Sequence, residues 1–215
     1  MIIPVQNLSL EKKIRIGLSS LGLEENNDQI EKVIDYLYLL SKWNKTHNLT
    51  AITDLDKMID LHIIDSLSVL KEIKGPNLLD VGSGAGLPGL IIALFRPDVQ
   101  VSSIDTRGKK IQFQTLASSS LGLKNFHTIH SRVEKFETEI QFQQIISRAF
   151  SSLDNFIAWT KHLLSDEGEW LAMKGQIPHE ELKELLDKKA LTPQIIKPLK
   201  VADFIGERHL LTFTR

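Results

Sequence analysis

One segment, "NLLDVGSGAGLPGL" at residues 77–90, constrains the fold of this chain more than any other. An apolar run typical of a buried strand leads directly into four glycines, Gly82, Gly84, Gly86 and Gly89. Glycine permits positive φ angles and a close approach of the backbone to a ligand. In open α/β sheets, ligands bind where a strand turns into its helix. The segment therefore predicts a ligand-binding loop after the first strand of an α/β domain.

The residues after Asn77 alternate between short apolar runs and amphipathic stretches, which favours a mostly parallel sheet covered by helices. We predict seven strands, the last two closing the sheet, at residues 77–81, 99–105, 126–130, 143–149, 169–174, 193–201 and 208–214. Residues 8–70 carry apolar side chains at helical spacing, and Gly75-Pro76 interrupts that pattern. The sequence thus predicts an N-terminal helical cap over 1–75 and an α/β domain over 76–215.

The composition excludes several classes of protein. There is no cysteine, so disulfides, thiolate metal sites and cysteine nucleophiles are excluded. The first residues lack a charged start followed by a sustained apolar run, so we expect no signal peptide, and no run of about 18 apolar residues is present. A net charge of −1 excludes a basic surface all round but leaves room for a local basic patch. We expect a cytoplasmic protein that binds neither a membrane nor a metal.

Two cofactor classes compete for the glycine loop. Gly84, Gly86 and Gly89 satisfy the dinucleotide pattern G-x-G-x-x-G, which would indicate a nicotinamide-dependent oxidoreductase. That pattern normally starts immediately after its strand, whereas Asp80 and Gly82 precede it here. A carboxylate at Asp80 would repel a pyrophosphate and would suit a ligand with an ammonium and a sulfonium group. The loop therefore favours S-adenosylmethionine over a dinucleotide.

Three further residues are candidates for contact with an adenosine. Asp105 ends the second predicted strand, where a carboxylate can accept the ribose hydroxyls of either cofactor or cap the next helix. Val133 could cover the adenine face, and Glu134 or a neighbouring backbone amide could meet the adenine edge. Taken alone, Glu134 is more typical of a solvated helix start.

The absence of certain residue types narrows the kinds of chemical group that can accept a methyl group. Methylation of pyrimidine C5 ordinarily uses a cysteine, and methylation of exocyclic amines typically uses a proline-rich loop after the fourth strand. That position is "SRAFSSL", residues 147–153, without proline. An aromatic nitrogen such as guanine N7 carries no proton, so it needs no general base. A 2′-hydroxyl acceptor stays open at this point.

Basic residues recur near the predicted strand ends. Between Arg107 and Arg132 there is no acidic residue, and the basic residues of the whole region are Arg107, Lys109, Lys110, Lys124, Arg132, Arg148, Lys161 and Lys174. A basic rim beside the loop would meet phosphates. A solvated helix start explains Lys109 and Lys110 equally well, so charge alone leaves nucleic-acid binding open.

At this point several motifs match one family. They are "KWNKTHNLTAI" (42–52), "HIIDSL" (62–67), "LLDVGSGAGLPGL" (78–90), "IDTRGKK" (104–110), "SRVE" (131–134), "ISRAFSSL" (146–153), "MKGQ" (173–176) and "GERHLL" (206–211). With them the chain resembles the bacterial 16S rRNA guanine-N7 methyltransferases, the RsmG family, also called glucose-inhibited division protein B. The resemblance implies a class I S-adenosylmethionine-dependent methyltransferase fold, Rossmann-like, with a seven-stranded mostly parallel sheet and an N-terminal helical cap.

The resemblance also implies a substrate and a set of site residues. The substrate would be guanine 527 of 16S rRNA, within the 30S subunit or a late assembly intermediate. Together with the loop and ribose arguments it assigns cofactor contacts to Gly82, Ser83, Gly84, Gly86, Leu87, Asp105, Val133, Glu134 and Arg148. With the basic rim it assigns RNA contacts to Arg107, Lys109, Lys110, Arg132, Arg148 and Lys174. Arg148 and Lys174 would be catalytic by positioning, without an obligatory general base.

Two groups of polar residues have structural interpretations. Asn44, Asn48 and Thr50 favour a hydrogen-bonded junction between cap and sheet, and His62 and Asp65 could pair on a helix face. A third hypothesis for the whole chain is a non-catalytic RNA-binding or assembly factor that keeps the cofactor pocket as a relic.

Overall fold

A sheet of seven strands forms the middle layer of the computed structural model, which describes residues 5–201 and 206–215. The strands are β1 (Asn77–Val81), β2 (Gln100–Asp105), β3 (Phe126–His130), β4 (Phe142–Arg148), β5 (Leu164–Lys174), β6 (Ile195–Pro198) and β7 (His209–Thr214). Their order is β3-β2-β1-β4-β5-β7-β6. Strands β1 to β5 are parallel to their neighbours, and β7 is antiparallel to β5 and β6. The predicted mostly parallel sheet is confirmed, with β5 starting five residues earlier than predicted.

Helices cover both faces of the sheet. They are α1 (Val5–Leu21), α2 (Asn27–His47), α3 (Leu55–Met58), α4 (Asp65–Leu67), α5 (Gly89–Phe95), α6 (Gly108–Ser120), α7 (Leu153–Thr160) and α8 (His179–Lys189). A π-helical turn, Ile59–Ile64, joins α3 to α4. The third predicted helix is therefore a helical stretch with one widened turn, a type of irregularity that often accompanies functional sites. Across the described ranges, no helix is both long and apolar enough to cross a membrane.

Two clusters of buried apolar side chains lie on opposite faces of the sheet. One contains residues of α1, α2, α5 and α6 together with Leu78 of β1, and the other contains residues of α7 and α8 together with Leu79. Adjacent residues of a strand point to opposite faces, so β1 is buried on both sides. The N-terminal helices α1 and α2 pack on the same side of the sheet as α5 and α6. The division of the chain at residue 75 stays a prediction.

Helix α2 is tied directly to the glycine loop. The hydroxyl of Tyr36, which is fully buried, donates to the carbonyl oxygen of Ala85 over 2.9 Å. Burial raises the pKa of Tyr36, so the phenol stays protonated. One turn before the end of α2, the amide of Asn44 pairs with the backbone of Thr50 in both directions. These hydrogen bonds lie within the cap and fix the segment that enters the third helical stretch, and the predicted junction between cap and sheet at these residues stays a prediction.

We expect Tyr36→Phe to lower the free energy of unfolding by about 1–2 kcal/mol, because the buried carbonyl of Ala85 loses its donor. Urea unfolding followed by circular dichroism measures the change. Tyr38→Phe is the matched control, because its exposed hydroxyl bonds only to Asn7 and surface changes cost within about 0.5 kcal/mol. Equal stabilities of the two variants would contradict a stabilising hydrogen bond between Tyr36 of the cap and Ala85 of the loop.

Candidate active site at the carboxyl edge of the sheet

The parallel strands bring most of the predicted site residues to one edge. Strands β1 to β5 are parallel neighbours, so their carboxyl ends lie side by side. Asp105 ends β2, Arg148 ends β4 and Lys174 ends β5, while Arg132 follows β3 by two residues. Lys124 precedes β3 and lies at the opposite edge. The predicted sharing of one rim is confirmed for the residues that follow strands.

The glycine loop depends on backbone conformations that favour glycine. Gly82, Gly84 and Gly86 have φ angles of 71°, 61° and 84°, in the left-handed region. The Gly84 N–H donates to Oδ2 of Asp105 over 3.0 Å. Gly89 is needed for a different reason, because a Cβ atom there would lie 2.7 Å from Oδ2 of Asp80. The third glycine of the dinucleotide-like triplet is thus explained by packing within the protein.

A buried polar network supports the loop from below. The Ser83 hydroxyl lies 2.6 Å from the Ser103 hydroxyl and accepts a hydrogen bond from the Gln114 amide over 2.8 Å, while the Ser103 hydroxyl donates to the amide oxygen of Gln114 over 2.6 Å. The same amide donates to the carbonyl oxygen of Gly84 over 2.9 Å. Sequence analysis missed Ser103 and Gln114. The available signal was a polar residue within a buried strand and another on the buried side of the next helix.

Asp80 lies behind the loop. It is fully buried, and its Oδ2 accepts from the Gly89 N–H over 2.8 Å. Its Oδ1 is buried without a hydrogen-bond partner among the described residues. Burial, and to a smaller extent Asp105, raises the pKa of Asp80 from 3.8 to about 7, against the opposing effects of Gly89 and Arg148. Burial therefore opposes the negative charge of Asp80, on which the prediction of a cationic ligand depends. A cation nearby would favour that charge.

An open cavity of about 500 Å³, here called the loop cavity, adjoins the loop. Its walls include Gly82, Asp105, Val133, Glu134, Phe150 and Trp159. The volume lies within the range of small-molecule sites. Asp105 is 7% exposed and accepts from the Arg107 N–H through Oδ1 and from Gly84 through Oδ2. Each carboxylate oxygen can accept a second hydrogen bond, so Asp105 retains capacity for a ligand with paired hydroxyls.

The predicted cofactor residues divide into two groups. Gly82, Asp105, Val133 and Glu134 line the loop cavity. Ser83 and Leu87 are each 3% exposed, and the α-carbon of Gly86 packs against Leu90 and Gln114. These three residues, Gly84 and Arg148 do not line the loop cavity in the ranges that the structure describes, and their contact with a cofactor stays a prediction.

A second cavity of about 400 Å³, here called the arginine cavity, lies beside the first. Its walls are Ile52, Leu61, His62, Asp65, Arg148, Ala149, Met173, Lys174, Gly175 and Arg208. Ala149 lines both cavities and has a φ of 58°. A left-handed residue other than glycine is strained, and such strain clusters at functional sites. The two cavities therefore share a strained residue in their walls.

Asp65 is the centre of the charged wall of the arginine cavity. Its Oδ2 lies 2.8 Å from Nη1 of Arg148, and its Oδ1 lies 3.0 Å from Nε of Arg208. The Thr50 hydroxyl lies 2.9 Å from Nε2 of His62. Burial and the charge of Arg148 lower the pKa of His62 to about 4, so the imidazole is neutral at pH 7. The suggested pairing of His62 with Asp65 is wrong, because each has another partner.

The other predicted RNA contacts differ in their exposure and in whether an acidic side chain lies close to them. Arg107, Lys109 and Arg132 are exposed, although Arg132 lies 3.5 Å from Glu134. Lys110 lies 3.8 Å from Asp105. Lys174 is held 2.9 Å from Glu181. In residues 5–201 and 206–215, no three histidine, aspartate or glutamate side chains are grouped as a metal site requires.

Comparison with known proteins gives a consistent result. The profile of the family described as GidB, rRNA small subunit methyltransferase G, matches residues 29–211. A ribosomal RNA small subunit methyltransferase G of Methylobacillus flagellatus is 46% identical over 202 residues, covering 94% of this chain and 97% of that protein. One of Pseudomonas putida is 45% identical over 206 residues, covering 95% and 94%.

Solved structures with low sequence identity share the fold. An N-methyltransferase from Bradyrhizobium japonicum, NodS, in complex with S-adenosyl-L-homocysteine, superposes with a TM-score of 0.57 at 14% identity, over 80% of this chain and 97% of its own. A SAM-dependent methyltransferase from Aquifex aeolicus gives a TM-score of 0.55 at 19% identity, over 73% and 92%. At these identities the likeness shows the fold alone, and that fold is the one predicted.

The raised pKa of Asp80 predicts a pH dependence of stability. The folded protein holds this proton more tightly than the unfolded chain, so the stabilisation is complete at low pH and is lost as pH rises from about 4 through about 7. We expect Asp80→Asn, which mimics the protonated acid, to flatten the curve by at least about 1.4 kcal/mol over that range. Urea unfolding across pH, with exposed Asp166→Asn as control, measures it, and parallel curves for wild type and Asp80→Asn would refute it.

Proposed function

This chain belongs to the family of rRNA small subunit methyltransferases G, and from that premise we propose that it methylates N7 of guanine 527 in 16S rRNA with S-adenosylmethionine as donor. The observation that carries the proposal is the loop cavity, which lies against a second, positively charged cavity at the carboxyl edge of the sheet. A donor site and an acceptor site must adjoin for a methyl group to pass between them.

The residues of the loop cavity fit the proposed donor. Asp105 can accept the ribose hydroxyls, Val133 offers an apolar surface for the adenine, and Gly82 leaves room for the amino-acid portion. Behind the loop, the unpartnered Oδ1 of Asp80 supplies a buried acceptor that favours a cation nearby. When bound, S-adenosylmethionine supplies an activated methyl group: guanine N7 donates its lone pair to the methyl carbon while the carbon–sulfur bond breaks and its electron pair stays on sulfur.

The acceptor side needs alignment more than acid–base chemistry. Guanine N7 has a free lone pair and no proton to remove, so the protein must hold the base in line with the methyl group. Arg148 ends β4, and the segment that follows it begins with Ala149 and Phe150 and contains no proline before α7. It thereby differs from the loops typical of amine methylation. Within this proposal Arg148 orients the acceptor, and Lys174 contributes through its pair with Glu181.

The exposed cations of the rim supply the proposed RNA surface. Arg107, Lys109 and Arg132 extend from the edge that carries both cavities, and Lys110 lies close to Asp105. Phosphate contacts of this kind position an RNA without reading its sequence. We infer that the substrate is the 30S subunit or a late assembly intermediate, which places the protein in the cytoplasm.

We expect Asp105→Asn to weaken binding of S-adenosylmethionine about tenfold or more, because hydrogen bonds to a charged group contribute about 1.5–3 kcal/mol. Isothermal titration calorimetry measures the affinity, and transfer of a radiolabelled methyl group to 30S subunits measures turnover. Asp98→Asn is the control, because Asp98 pairs with Arg96 at the far edge of the sheet.

Three results would contradict the proposed function. Binding of a nicotinamide dinucleotide in place of S-adenosylmethionine would indicate an oxidoreductase. Binding of S-adenosylmethionine without turnover on either 30S subunits or late assembly intermediates would indicate an assembly factor. A labelled nucleoside other than 7-methylguanosine, identified by mass spectrometry, would exclude N7 as the acceptor.

A further inference from the structure

The geometry points to the arginine cavity as the pocket that receives the acceptor guanine, with Asp65 as the positioning residue that holds Arg148 against the base. This inference rests on the proposed function and adds a location for the base and a role for a residue of the helical cap. Four observations carry it: the shared wall, the lining of the cavity, the unused donors of Arg148 and the burial of Asp65.

The shared wall places the two ligands side by side. Arg148 and Ala149 line the arginine cavity, whereas Ala149 and Phe150 line the loop cavity. The chain turns at Ala149 through a left-handed conformation, and the residues before and after it therefore face different cavities. A base in the arginine cavity would lie across one residue from a donor in the loop cavity, which is the arrangement that direct methyl transfer requires.

The lining of the arginine cavity suits a nucleotide base. Ile52, Leu61 and Met173 offer apolar surface to the faces of a ring. Arg148, Lys174 and Arg208 are cationic and Asp65 is the one carboxylate of the lining, while His62 is neutral at pH 7. A lining with this excess of positive charge repels a protonated amine and attracts carbonyl and phosphate oxygens. The acceptor chemistry it fits is therefore a nucleotide and not a lysine or amine side chain.

Arg148 keeps donors available for that base. Its Nη1 donates both to the carbonyl oxygen of Leu61 over 3.2 Å and to Asp65 over 2.8 Å. Its Nε and Nη2 make no hydrogen bond within residues 5–201 and 206–215. These N–H groups can donate to a guanine carbonyl and leave N7 free. Arginine commonly binds guanine through such contacts.

The burial of Asp65 explains why an arginine is tolerated beside a base that becomes cationic. Asp65 is 2% exposed, and each of its oxygens is bound by one guanidinium. A buried carboxylate between two arginines offsets part of their charge and fixes both side chains. Without it, Arg148 would oppose the positive charge that methylation leaves on guanine.

The first experiment compares two buried carboxylates of the same helical stretch. Asp65→Asn removes the charge between the arginines, and Asp60→Asn removes a carboxylate that pairs with Lys13 away from both cavities. With full-length protein we expect Asp65→Asn to lower kcat on 30S subunits about 100-fold, because small misplacements of a reactant cost that much. Affinities for S-adenosylmethionine and for 30S subunits should stay close to wild type, and Asp60→Asn should keep its kcat.

A second pair of variants decides the matter if Asp65→Asn does not fold. Ile52→Trp fills the arginine cavity from the cap without replacing either arginine, and Ile16→Trp adds the same side chain at an exposed position of α1. We expect Ile52→Trp alone to abolish methylation while binding S-adenosylmethionine normally.

The inference is overturned if Ile52→Trp methylates 30S subunits at the wild-type rate, or if folded Asp65→Asn behaves like Asp60→Asn. A loss of S-adenosylmethionine affinity in Asp65→Asn equal to its loss of kcat would also overturn it, since Asp65 would then act on the loop cavity. Failure of the wild-type protein to form 7-methylguanosine would instead defeat the proposed function, and the two failures are thereby distinguished.

Discussion

The hydrogen bonds that join Ser83 to Ser103 and Gln114 hold the glycine loop in place, and the rest of the site depends on them. A loop with three left-handed glycines loses more conformational entropy on ordering than a loop of the same length without glycine. The network fixes it from below, and Asp105 and Tyr36 fix it from two sides. The loop is thereby ordered before any ligand arrives, so binding does not have to supply that ordering.

The helical cap is part of the site. Tyr36 of α2 reaches the loop, and Asp65 reaches the ends of β4 and the approach to β7. The cap also supplies Ile52 and Leu61 to the arginine cavity. One apolar cluster runs from the cap into the sheet. A methyltransferase sheet alone would have the loop cavity but only part of the lining of the arginine cavity, so the cap completes that cavity.

The sequence predicted what depends on local pattern. Strands β1, β2, β4 and β5 were located because parallel strands buried on both faces form apolar runs, and Asp105 and Gly82 were placed because residues after such strands share an edge. The roles of Ser103, Gln114 and Asp65 were missed, since their partners lie between 11 and 143 residues away. The orientation of the Asp80 side chain toward Gly89 was also missed, because the close approach of these two residues is a tertiary contact.

The wall that the two cavities share at Ala149 has a consequence for inhibition. Because Ala149 lines both cavities, a single molecule that joins an adenosine mimic to a purine mimic would span adjoining sites. Linking two weak ligands converts the second binding event into an intramolecular one and multiplies their affinities. Such a bisubstrate compound would bind this enzyme in preference to other methyltransferases, because its purine half would occupy the arginine cavity, which the helical cap lines.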